Sequence, residues 1–304
     1  MIQRCHGALL AALLAGAAGC RTRLDPIPPK TFSLGPRIYA MTTADYLRDP
    51  PLCRRAAEAG QVEAQYALAT MYRQGRGMPR DAEQAGTWYR RAAEAGHVPA
   101  AYNLGLLLAE AGRGNDALPW TERAAEAGLV EAQLLAASLY SGTHGVTADD
   151  ERAAHWLRAA ALNGHADAQY ALGCRYRDGR GVERNFEKAR RWLEAAAETD
   201  HAEAQCDFGA LYAQGLGIPR DARKAIAWYE RAAAQGNARA LHNLGALYAN
   251  GKGVERDLVK AAAYLLAAAD AGITAARDEL EKLQPALSEE DRARARRQAN
   301  TLSP

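Results

Sequence analysis

The sequence predicts an all-α solenoid built from tandem antiparallel helix pairs, and three observations predict it. Hydrophobic residues make up 48% of the 304 residues but aromatics only 7%, so most apolar side chains are Ala and Leu, both strong helix formers. The string Ala-Ala-Glu-Ala-Gly stands at 56–60, 92–96 and 124–128, and looser copies end at Gly164, Asp200, Gly236 and Gly272. Between these strings lie Gly-rich turns: Gly75-Arg76-Gly77, Gly179-Arg180-Gly181, Gly215-Leu216-Gly217 and Gly251-Lys252-Gly253. A fixed period over several copies marks a stacked array, because one such unit cannot bury its own apolar face.

The first element is an address. Arg4 precedes Gly7 to Gly19, an uncharged run of Gly, Ala and Leu. A membrane span needs about twenty apolar residues, so this shorter run suits a secretory signal, and residues 1–19 are expected to be one. Ala17-Ala18-Gly19-Cys20 resembles a bacterial lipobox, which makes Cys20 the expected lipidation site and first mature residue. Ala15-Gly16-Ala17 suits an ordinary signal peptidase and stays open as the alternative. Residues 20–50 carry Pro26, Pro28, Pro29, Pro36 and Pro50, a composition that suits a tether. These features lead to a periplasmic, lipid-anchored protein, placed at the outer membrane and touching lipid only through its anchor.

Removing the signal also removes Cys5 and leaves Cys20, Cys53, Cys174 and Cys206. With Cys20 lipidated, three thiols allow at most one internal disulfide. Cys174 and Cys206 sit four residues apart in repeat register, an axial offset of about 6 Å. A disulfide needs Cα atoms within about 7 Å in all, so free thiols are expected there.

The array spans residues 51–283 in about six copies. Leu68, Leu104, Ala136, Leu172, Phe208 and Leu244 are equivalent, at separations of 36, 32, 36, 36 and 36. Ala64, Leu68 and Tyr72 share one face of a first helix, which Gly75 and Gly77 end by admitting φ > 0. Asp81 is the expected N-cap of the second helix, and Trp88, Ala92 and Ala93 its buried side. Asp149, Asn185, Asp221 and Asp257 repeat that cap, each seven residues before Trp156, Trp192, Trp228 or Tyr264. The second copy is shorter, with a reduced turn at Gly112-Arg113-Gly114 and Pro119 close behind.

The pattern Ala, Leu-Gly, Tyr, Gly-x-Gly-Val, Asp, Ala, Trp-Tyr, Ala-Ala and Gly resembles the Sel-one-like repeat, a relative of the tetratricopeptide repeat. Ala168 to Gly181 with Trp192, and Ala240 to Gly253 with Tyr264, carry it most clearly. The resemblance implies a right-handed α/α solenoid (superhelix) of such pairs, used for scaffolding or adaptor binding. Residues 284–304 close the array: Ser288 and Asp291 form a capping box opening a polar helix to about Gln298.

Little in the chain points to chemistry. Lys plus Arg number 38 and Asp plus Glu 36, a net charge of +2 that offers no field for nucleic acid. His97, His165 and His201 occupy the same inter-copy turn, about 8–10 Å apart in a stack, too far to share a zinc ion, so no metal or cofactor is expected. They are read as turn residues. The Gly-x-Gly strings lack a preceding strand, Glu58, Glu94 and Glu126 recur one per copy, and no Gly-x-Ser-x-Gly appears. Some Sel-one-like proteins are credited with β-lactamase activity, but they carry regularly paired cysteines that this chain lacks.

What remains is the face of the first helices, which the tetratricopeptide resemblance places on the concave side. Tyr66, Tyr102, Tyr170 and His242 stand two residues before the repeat Leu, and Arg73 and Arg177 five after it. Tyr and Arg are enriched in binding hot spots. The alternative is that these tyrosines only fill space between helices. The expected function is non-enzymatic scaffolding of an unidentified envelope protein. An envelope glycan (peptidoglycan or exopolysaccharide) is the alternative ligand, and hydrolysis comes third.

Overall fold

A computed structural model describes residues 41–302, and among these the fold is all-α, with no strand. Sixteen helices follow in order: α1 (Thr43–Tyr46), α2 (Pro50–Glu58), α3 (Val62–Gln74), α4 (Ala82–Glu94), α5 (Val98–Glu110), α6 (Gly114–Glu126), α7 (Val130–Tyr140) and α8 (Asp150–Leu162). Then come α9 (Ala166–Asp178), α10 (Phe186–Glu198), α11 (Ala202–Gln214), α12 (Ala222–Ala234), α13 (Ala238–Asn250), α14 (Leu258–Asp270), α15 (Thr274–Leu283) and α16 (Glu289–Leu302). The chain divides into two compact units, the first closing at Ala159 and the second opening at Ala160, inside α8. The signal, Cys20 and most of the tether lie outside the described residues.

The local chemistry follows the repeat. Gly75 ends α3 at φ 69°, a left-handed conformation costly for residues with a Cβ, and Gly179, Gly215 and Gly251 end their helices the same way. Asp81 opens α4 by accepting from the amides of Glu83 and Gln84, Asp221 repeats this at α12, and Asp257 accepts from the Lys260 amide at α14. In the inter-copy turn, Asp200 takes the place of Gly at φ 61°.

Within the units α3 packs on α4, α5 on α6, α9 on α10, α11 on α12 and α13 on α14, and α4, α6, α10, α12 and α14 pack in turn on the first helix that follows. The Leu-Gly dipeptide of the repeat is explained by that contact. A Cβ added at Gly173 would stand 2.8 Å from the Leu193 side chain and 3.2 Å from its backbone nitrogen. On the second helices the residue after the repeat Trp, such as Tyr89, Leu193 or Tyr229, is buried more deeply than the Trp itself. Arg91 and Arg231 instead cover the rings of Trp88 and Trp228 at 4.5 Å.

Two expected boundaries shift. Helix begins before residue 51: Thr42 and Asp45 form a capping box for α1, and Asp49 caps α2. Pro50 and Pro51 fall in the first turn of α2, where a missing amide hydrogen costs nothing, so Pro50, the last proline of the expected tether, starts a helix. Tyr46 is buried, its hydroxyl bonded to Gln61. At the other end Ser288 accepts from the Asp291 amide as expected, but α16 runs four residues past Gln298. It lies on α14, where Ala262, Ala263, Leu287 and Ala295 form one buried cluster.

Candidate functional site

The expected binding residues sit where successive first helices meet. In the first unit Tyr66 is half-buried on α3, and its hydroxyl accepts from Asn103 Nδ2 of α5 at 3.2 Å. Arg73, two turns further along the same face of α3, donates to Asn103 Oδ1 at 3.1 Å and to Glu110 Oε1 at 2.9 Å. The Tyr66 ring packs on His97, with centroids 4.5 Å apart. Nδ1 of His97 accepts from the Ala100 amide, capping α5, while Nε2 lies 3.5 Å from Glu63.

The same arrangement recurs in the second unit, each residue 104 positions on. The Tyr170 hydroxyl donates to Asp207 Oδ2 at 3.3 Å, and Arg177 Nη1 donates to that oxygen at 2.8 Å. His201 packs on the Tyr170 ring at 4.7 Å, caps α11 through the Ala204 amide, and holds Nε2 3.2 Å from Asp167. The histidines are thus turn residues, as their spacing suggests, and two of the three cap helices.

The two sites differ in charge. Asn103 is neutral, whereas Asp207 is a carboxylate only 3% exposed. Asp207 also accepts from Arg239 of α13 and from the Cys174 thiol at 3.7 Å. Arg239 stands five residues before the repeat Leu, where Glu63, Glu131, Asp167 and Glu203 stand in other copies. A cation in the first turn of a helix opposes the helix dipole, so the buried carboxylate is what favours it there. One anion thereby joins three successive first helices: α9, α11 and α13.

The environment sets the protonation states. Hydrogen bonding to Asp178 holds the Arg177 pKa above its ordinary value, and Asp207 does the same for Arg239 against the effect of burial. Burial raises the hydroxyl pKa of Tyr66 and Tyr102. It also pushes the Cys206 thiol up to about 12. The His201 hydrogen bond lowers the Asp167 pKa, and burial lowers that of His97.

Of the expected site residues, Tyr66, Tyr170, Arg73 and Arg177 are therefore tied into two inter-helix networks. Tyr102 is half-buried on α5, and His242 on α13 lies 3.2 Å from Glu279 of α15, in neither network. Asn103, Asp207 and Arg239 were not among the residues expected from the sequence. For Asn103 and Asp207 the signal was a column one residue before the repeat Leu, reading Ala67, Asn103, Leu135, Ala171, Asp207 and Asn243. Cys53, Cys174 and Cys206 are buried and unbridged.

A model of the Sel1 repeat matches residues 62–97, 130–165, 166–201, 202–237 and 238–273. The shortened copy falls between the matched ranges, although it forms the α5 and α6 pair like the others. No curated protein matches the chain. Among solved structures, a Sel1 repeat protein from Oxalobacter formigenes is 32% identical with a TM-score of 0.64, over 87% of this chain and 80% of that one. A protective antigen present in uropathogenic Escherichia coli strains, displaying an SLR fold, is 31% identical with a TM-score of 0.66, over 83% of this chain. The match spans only 56% of that antigen's length. Five matched repeats, covering more than half the residues, show that this chain belongs to the Sel1 repeat family.

Proposed function

We propose that the protein is a non-enzymatic adaptor of the bacterial cell envelope, holding a partner protein on the exposed side of its first helices. Sel1 repeat proteins in general mediate protein–protein interaction. The observation that carries the reading is the state of the polar groups. Both nitrogens of His97 and His201 are engaged, by a helix cap and by a carboxylate, which leaves neither imidazole free as a base. The rings of Tyr66 and Tyr170 each carry a histidine on one face, which disfavours sugar stacking and sets the protein partner ahead of the glycan. Lipidation at Cys20, periplasmic exposure and outer-membrane attachment belong to the same proposal and rest on the sequence of residues 1–20. Among the described residues no helix is long and apolar enough to cross a membrane.

Site-specific photo-cross-linking in cells tests the partner. Probes at Glu131 and Glu203, exposed on first helices, should each capture a protein. Probes at Arg90 and Arg223, exposed on second helices, should not. Capture from the second helices alone would reject the first-helix surface. Cys20→Ser should release the protein from membranes, and retention of that variant would reject the anchor.

A further inference from the structure

From the geometry at His97 we infer that the first unit contains an acid-released latch, in which a neutral histidine ties α3 to α5. The tautomer follows from the contacts. Nδ1 accepts a backbone hydrogen from Ala100 at 3.1 Å or from Ala204 at 3.2 Å, so it carries a lone pair. The proton of the neutral ring is then on Nε2, pointing at Glu63 or Asp167. At His97 a second proton has only Nδ1 to go to, and there it meets an N–H donor. Donor then faces donor, the cap is lost, and a cation sits at the positive end of the helix.

Other groups push the other way. Glu63 and Asp167 favour the cation, and Glu203 lies 3.6 Å from His201 Nδ1. Tyr66 and Tyr170 face the rings as neutral hydroxyls, with Tyr89 of α4 behind Tyr66. At the same end of the first unit stand Glu94, Glu126 and Glu131, all exposed and so screened by water. In the second unit Glu198 is exposed, and Asp200 is paired with Arg231 of α12. For His97 burial outweighs Glu63, and the ring favours the neutral state more when folded than when unfolded. Its contribution to stability is then complete above the ordinary imidazole pKa of about 6.5 and is lost as pH falls below it. The loosened segment is the first turn of α5; at α11 Glu203, beside Nδ1 of His201, removes the donor–donor clash on which the latch depends.

The chain supplies its own control. Asn237 occupies the same repeat position and caps α13, its Oδ1 accepting from the Ala240 amide at 3.0 Å. An amide does not titrate, so His97→Asn keeps the cap and removes the switch. Between about pH 7.5 and pH 5 the full-length parent should lose roughly 2–4 °C more in Tm than the His97→Asn variant. Nitrogen-15 shifts of the His97 imidazole should show the Nε2–H tautomer at neutral pH and, on acidification, loss of the Ala100 amide hydrogen bond. Equal pH dependence in parent and variant would overturn the latch. So would an Nδ1–H tautomer at neutral pH, a readout that stands even where a variant fails to fold.

Discussion

Arg177 Nη1 stands 2.8 Å from Asp207 Oδ2, and the carboxylate it reaches is almost fully withdrawn from water. A buried anion needs its charge and lone pairs answered, and here two arginines, a tyrosine and a thiol answer them. Asp207→Asn should therefore destabilise the protein by about 1–3 kcal/mol, the smaller end applying because both guanidinium groups still reach solvent. Urea unfolding measures this. A double-mutant cycle of Asp207→Asn with Arg239→Gln should show positive coupling, and additive losses would mean that Arg239 contributes nothing to the site.

Asn103→Asp transfers the same charge into the first unit without the second arginine. The new carboxylate gains on Arg73 but faces the Pro99 carbonyl, which now accepts from the Asn103 amide, and stands in the field of Glu110. Stability should fall by about 1–2 kcal/mol near neutral pH and recover partly on acidification. A thermal melt at two pH values gives the sign.

Gly173→Ala exchanges a poor helix former for the best one, worth about 1 kcal/mol in an open helix. The added methyl would press on the Leu193 side chain at 2.8 Å and on its backbone nitrogen at 3.2 Å, so the net change should be a loss of about 1–3 kcal/mol. A stabilised variant would show that α9 and α10 can separate at little cost.

Asp200→Gly should stabilise by up to about 1 kcal/mol, because the native residue bears left-handed strain and its ion pair with Arg231 is exposed. A measured loss would assign real worth to its bonds with Arg231 and Gln205.

Burial raises the thiol pKa of Cys53 to about 11 and of Cys206 to about 12, so neither is a thiolate near neutral pH. Maleimide should label neither in the folded chain and both in unfolded, non-reduced protein. A non-reducing peptide map joining Cys174 to Cys206 would contradict free thiols.

Helix pairs, Gly caps and Asp caps were legible because each depends on local rules: a fixed period, a left-handed residue, a side chain reaching its own amides. The two networks were not. Periodicity places Tyr66 and Arg73 on the side of the first helix, but how far each helix is rotated against its neighbour decides whether they meet Asn103 or solvent. Tyr170 accordingly lies buried, although its column suggested an open groove. Arg239 was hidden for another reason, since it breaks the acidic habit of its column and explains itself only once Asp207 is seen beneath it.

The packing of α16 on α14 has a consequence for engineering. The apolar flank that would receive another repeat is already covered, so the array ends where that helix lies down. Extra 36-residue cassettes are best spliced upstream, at an inter-copy turn such as Gly236-Asn237, where each newcomer meets a complete neighbour on either side. Appended after Leu302, the same cassette would find no surface to dock on.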